Sequence, residues 1–144
     1  MAKFKFNLEK VLEIKEITLK QEQRRLSDIA QKRQQLLKQR EHWEESMQEC
    51  MSTINSLEAT EAEVLASYHA YLHQIMQAVR QVEKQLYDLD AEEVKVRHRL
   101  REIQKEKTVL LNLKERKYER FLKEEERRQQ AELDEIALLG GLPD

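Results

Sequence analysis

Apolar residues recur at steps of three and four along almost the whole chain, in two long runs. The first reads Leu8, Leu12, Lys15, Leu19, Glu22, Leu26, Ile29, Arg33, Leu36, Arg40, Trp43, Met47, Cys50, Ile54, Leu57. The second reads Leu65, Tyr68, Leu72, Ile75, Val79, Val82, Leu86, Leu89, Glu93, Val96, Leu100, Ile103, Lys107, Leu110. Eleven of 15 positions in the first run and 12 of 14 in the second are apolar, too regular a phase to arise by chance. The mean step of about 3.5 residues is the heptad period, at which one helix face stays turned toward a partner and the pair winds left-handed. No glycine precedes Gly140 and no proline precedes Pro143, so nothing forces a break. The pattern predicts a rod, and a rod acts through the surfaces it presents.

One segment interrupts the stripe, from Ser52 to Glu63. Its Ser, Thr and Asn residues compete with the backbone for hydrogen bonds and favour caps and turns. Thr60 followed by Glu63 fits a capping box, in which hydroxyl and carboxylate each satisfy an orphan backbone amide. The expectation is a first helix over about 4–57, a turn at about 58–61 and a second helix over about 61–138, with a short flexible tail at 140–144. At 1.5 Å per residue the helices would be about 80 and 115 Å long. A single unbroken helix pairing with another chain remains the alternative.

Folding at position 61 pairs residues whose numbers add to 122, and the stripes then match layer for layer. Leu57 meets Leu65, Met47 meets Ile75, Trp43 meets Val79, Leu36 meets Leu86, Leu26 meets Val96 and Leu12 meets Leu110. Arg33 and Glu93 fall in neighbouring layers and can pair across the seam. Lys15 opposite Lys107 is unfavourable, though long lysines reach outward to water at little cost. The fold class expected is therefore all-α, an antiparallel two-helix coiled-coil hairpin with the second helix the longer, as a single domain over 1–144.

Composition narrows the function. Charged residues make up 38% of the 144 and aromatics 6%, which leaves no material for a globular core. Basic and acidic residues, 26 and 28, interleave along the helices as a solvated exterior. No apolar run reaches the 18 or so residues of a membrane span, and the start MAKFKFNLEK resembles neither signal nor transit peptide, so a cytosolic protein is expected. Two terminal glycines cannot build a phosphate loop. His69 and His73 stand four apart but flank the stripe with no third ligand converging, and Cys50 lies in the stripe as a small hydrophobe. Carboxylates on an open rod have no cleft to shift their pKa. No enzyme activity, cofactor, metal or small-molecule substrate is expected. Basic clusters are diluted by acids at pI about 6.1, which disfavours nucleic acid.

The open end carries more apolar surface than a two-stranded seam requires. Phe4, Phe6, Val11, Ile14 and Ile17 lie outside the stripe in the first helix, with Val109, Leu111, Leu113, Tyr118, Phe121 and Leu122 in the second. A wider apolar face implies a third packing surface. A larger bundle, a phase change near Leu110 and insertion into a partner all account for it. From Tyr118 the second helix overhangs the first by roughly 20 residues at this register, without a partner in the same chain.

The two ends resemble a known family. The opening Phe4-x-Phe6-x-Leu8-x-x-Val11-Leu12-x-x-Lys15-Glu16, the closing Leu113-Lys114-Glu115-Arg116-Lys117-x-x-x-Phe121 and the tail Glu124-Glu125-x-Arg127-x-x-Gln130-Ala131-Glu132-Leu133-Asp134-Glu135-Ile136-Ala137 resemble the FliJ family of flagellar type III export. That resemblance implies a hairpin similar to the stalk of the rotary-ATPase gamma subunit. It implies a stalk or adaptor that enters the export ATPase ring (FliI-like), promotes its activity, contacts the export gate (FlhA-like) and helps recycle export chaperones. It also implies peripheral association with the inner-membrane apparatus. The ATPase-ring contact expected here comprises Phe4, Phe6, Val11, Leu111, Tyr118, Phe121 and Leu122, with Arg116, Lys117 and Arg120 reaching acidic groups. The gate contact implied comprises Trp43, Met47, Tyr68, Tyr71, Ile75 and Ala78. A structural coiled coil without an ATPase partner, and a basic-faced nucleic-acid or membrane-surface binder, are the rival readings.

Overall fold

The protein is described by a computed structural model covering residues 2–58 and 60–140. It consists of helix α1 (Glu9–Ser56) and the longer helix α2 (Ala62–Gly140), packed antiparallel as a coiled-coil hairpin, with no strand among the described residues. Burial follows the heptad stripe without exception. All 29 stripe positions are buried or half-buried, including the charged ones.

The chain divides into two compact units. The turn unit, Gln21–Leu100, holds a core of Ile29, Leu89 and Val96, against which Leu26, Leu36 and Leu100 pack. Ile75, Val82 and Cys50 are buried further toward the turn. The terminal unit comprises residues 1–20 with 101–144, and there Phe6 and Leu12 are buried while Leu19, Ile103 and Leu110 are half-buried. Each layer covers only one side of a residue. It therefore contributes less than the roughly 1.5–3 kcal/mol of a fully buried aliphatic side chain.

Cross-helix contacts set the register within each unit. In the turn unit, Arg33 donates to Asp90 at 2.8 Å and also to Glu93, and the Cys50 thiol lies 3.4 Å from the Tyr68 carbonyl oxygen. In the terminal unit, Lys114 reaches Glu9 at 2.8 Å and Lys117 donates to Asn7 at 3.0 Å. Lys15 and Lys107 avoid one another by exchanging partners: Lys15 pairs with Glu106, and Lys107 sits 3.5 Å from Glu16. Adjacent Lys-Glu and Glu-Lys pairs on antiparallel helices thus convert the one repulsive layer into two ion pairs.

The residue numbers of these pairs all lie close to a sum of 122. Sliding the helices by one heptad would keep the apolar layers and redistribute the charged ones. In one direction Glu22 would face Glu93 and Arg33 would face Val82. In the other, Arg33 would face Val96 and Lys15 would face Lys114, with only Glu22 and Lys107 gaining a partner. Polar seam residues specify register at some expense of stability. We expect cysteines at Leu36 and Leu86, in a Cys50→Ser background, to cross-link within one chain. Linkage of Leu36→Cys to a site seven residues from 86, and not to 86 itself, would show a slipped register.

The helix ends depart from the sequence reading in three places. α1 starts at Glu9 and not near residue 4: Leu12 donates to the Leu8 carbonyl at 3.0 Å as the first helical bond, and Glu9 donates to the Phe6 carbonyl at 3.1 Å. Phe4 and Phe6 precede it in a non-helical segment, whose greater rise per residue carries Phe4 as far as Tyr118 and Phe121. The capping box at Thr60 is one residue out of place. Glu61 occupies the cap, its carbonyl accepting from Leu65 at 2.9 Å, and α2 begins at Ala62. At the other end α2 continues to Gly140, past the expected stop at 138. Ala59 of the expected turn, and residues 141–144 of the expected tail, lie outside the described residues.

Candidate functional site

Few side chains are buried among the described residues, so candidate function rests on those that the seam leaves uncovered. Those predicted at the open end fall into three groups in the terminal unit. Phe4 and Phe6 form the first. Phe6 is buried at 7% exposure, and the Phe4 ring stands edge-on to Tyr118 at 5.2 Å and tilted against Phe121 at 5.6 Å. Lys117 lies 5.8 Å from the Phe6 ring centroid, a cation–π placement. Phe6 and Lys117 are thus engaged within the chain and serve to tie the N-terminal segment down. The expectation that Tyr118 and Phe121 have no partner in their own chain is corrected by the same contacts.

Val11 belongs to the second group. It lines a shallow groove with Lys15, Lys105, Glu106, Val109 and Leu110, and Ile14 lies exposed one helical turn on from Val11. Leu111, Tyr118 and Leu122 form the third. Spaced by seven and four residues, they share one face of α2, and Leu111 stands about 200° round the helix from Val109. These three are 43–46% exposed. Arg116 and Arg120 are exposed on the same stretch of helix. The residues predicted as one contact surface therefore form two separate faces and an internal clasp.

The predicted gate surface lies in the turn unit, where the seam claims part of it. Ile75 has no exposed surface at all, so it supports that surface and does not present it. Trp43, Met47, Tyr68 and Ala78 are half-buried, with the Trp43 ring 5.5 Å from His42. Tyr71 is the most accessible of the set. Val64, exposed and one heptad before Tyr71, extends the row Val64, Tyr71, Ala78. The sequence reading missed it, although its position just before the stripe residue Leu65 repeats that of Tyr71 before Leu72.

Two polar clusters interrupt the apolar seam of the turn unit. Glu22 is 7% exposed, with Arg25 at 3.2 Å from one oxygen. Its other oxygen has no hydrogen bond, and the Arg99 guanidinium approaches only to 3.9 Å. Glu93 bonds Arg33 across the helices and Arg97 at 2.9 Å within α2. The hydrogen bond from Arg33, then that from Arg97, holds the Glu93 carboxyl below its ordinary value, and the same contact with Glu93 raises the Arg33 guanidinium. A depressed carboxylate stabilises the fold fully above its unfolded pKa of about 4.3 and loses that contribution as pH falls through the lower folded value. Thermal stability should therefore fall less between about pH 5 and pH 3 in Glu93→Gln than in the parent. Equal slopes in the two proteins would remove Glu93 from the acid response.

His69 and His73 are exposed, and among the described residues no group of three or more His, Cys, Asp and Glu is placed to hold a metal ion. Among them, too, no helix is long and apolar enough to cross a membrane. The profile of the family described as "Flagellar FliJ protein" matches residues 4–141. No curated protein and no solved structure matches the chain.

Proposed function

Since the chain belongs to the FliJ family of coiled-coil proteins associated with flagellar export, we propose that it is a non-enzymatic stalk whose terminal unit enters a ring-shaped export ATPase. The observation that carries this reading is the exposed row Leu111, Tyr118, Leu122, which lies outside the heptad seam, with the exposed Arg116 and Arg120 on the far side of the same helix. Apolar contact of this kind gives affinity without demanding one fixed register, which suits a shaft inside a pseudo-symmetric ring. Hydrolysis belongs to the ring, and the stalk transmits or times a conformational step.

The row Val64, Tyr71, Ala78, with Trp43, Met47 and Tyr68 beside it, is the surface we assign to the export gate. Export chaperones complete the set of partners, and the protein works in the cytoplasm against the inner-membrane apparatus. Co-purification with the export ATPase, followed by an ATPase assay with and without the protein, tests the reading. Stable association with stimulated hydrolysis is the expected result. Absence of both, together with salt-sensitive binding to DNA or anionic vesicles, would favour a basic-faced binder instead.

A further inference from the structure

The depth of burial along the seam changes at one layer. In α2 the heptad series Ile75, Val82, Leu89, Val96 is buried throughout the turn unit. Its next two members, Ile103 and Leu110, belong to the terminal unit and are only half-buried. In α1 the series Leu8, Lys15, Glu22, Ile29 carries charge at two successive heptads before a buried apolar residue returns. From Glu13 to Arg25 the single buried side chain is Glu22, and beyond Val96 no described residue of α2 is buried. The chain divides into its two units at this same place, between Lys20 and Gln21 in α1 and between Leu100 and Arg101 in α2.

Glu22 is the first seam residue of the turn unit on α1. Its carboxylate gives up hydration that its neighbours replace only in part. Arg25 reaches one oxygen at 3.2 Å, the other accepts no hydrogen bond, and Arg99 at 3.9 Å stands beyond hydrogen-bond reach. The terminal unit offers little to offset this. Lys15 and Lys107 occupy two of its seam positions, and their pairs with Glu106 and Glu16 reach water, where such pairs add little stability.

We propose that the Glu22 layer is a stop in the zipper, at which the seam of the terminal unit opens and recloses while that of the turn unit stays shut. Proteins open in cooperative units of unequal stability, and helices freed of their packing are marginal in water. The opened state bares Leu12, Leu19, Ile103 and Leu110 together. A partner that prefers that state shifts the equilibrium by its difference in affinity. The opening belongs to the free protein and does not rest on the ATPase reading.

Native-state hydrogen exchange of the full chain, read on peptic peptides by mass spectrometry, tests it. Protection in the parent should fall by a step of at least about tenfold from residues 26–50 and 75–96 to residues 10–20 and 103–113. Glu22→Leu fills the layer with an apolar side chain, so it should slow the terminal amides more than the turn amides and remove most of the step. Glu41→Leu makes the same chemical change at an exposed position of α1 and should leave the step as it is. A profile that declines smoothly toward the open end, as a uniform coiled coil frays, overturns the proposal. So does a step that Glu22→Leu leaves in place, or one that Glu41→Leu removes equally.

Discussion

Val96→Asp is expected to melt at least roughly 6 °C below the parent, whereas Val94→Asp, two residues away, should melt within a degree or two of it. Val96 is 1% exposed, in the core with Ile29 and Leu89, while Val94 is 64% exposed. A carboxylate at 96 would lose its hydration without gaining a partner. That costs on the order of 3 kcal/mol or more, at roughly 2–4 °C per kcal/mol for a chain of about this size. At 94 the carboxylate remains in water, where substitutions usually change stability by less than about 0.5 kcal/mol. Circular dichroism melts of the two variants decide the matter. Equal melting temperatures would mean that the heptad seam has been placed on the wrong face.

Leu111→Ser combined with Leu122→Ser should leave the melting temperature near that of the parent yet sharply reduce stimulation of the export ATPase. Both side chains are 43% exposed and outside the seam, so neither supports the hairpin. Phe121 is a poorer choice, because its ring packs against Phe4. Losing two apolar anchors, at about 1 kcal/mol each for partly covered side chains, should raise the concentration needed for half-maximal stimulation by at least about tenfold. Tyr71→Ser, in the turn unit, should leave ATPase stimulation unchanged and weaken gate binding. An unaltered response in a well-folded Leu111→Ser, Leu122→Ser protein would count directly against the terminal unit as the part that enters the ring.

Much of the fold was legible because a coiled coil writes its core as a period. Each stripe residue from Leu8 to Leu57 and from Leu65 to Leu110 is withdrawn from water, polar members included, since a side chain on the inner face has nowhere else to go. The start of α1 was misread because a phenylalanine pair two residues apart was taken into the helix. Its alternation is the spacing of an extended segment, and that signal was present in Phe4-x-Phe6. The conflict at Lys15 and Lys107 was visible in the sequence, but its resolution through Glu106 and Glu16 required neighbouring residues on both helices to be brought level.

The candidate sites were less legible than the fold, for a related reason. Residue type and helical spacing placed Ile75 beside Tyr71 and Phe6 beside Val11, and did not say which of each pair the opposing segment would cover. Packing decided that: Ile75 and Phe6 are buried and Tyr71 and Val11 are exposed. The sequence by itself determined two heptad helices and the turn between them, and left their register open to a slip of one heptad, because periodicity is a property of a single strand and repeats every seven residues. Only the tertiary structure decided that Phe4 clasps Tyr118 and Phe121, and that the uncovered apolar residues of the terminal unit fall on two separate faces. Exposure belongs to a side chain together with whatever lies against it, and across the helices those neighbours stand 18 to 60 positions away in the turn unit and 91 to 110 in the terminal unit.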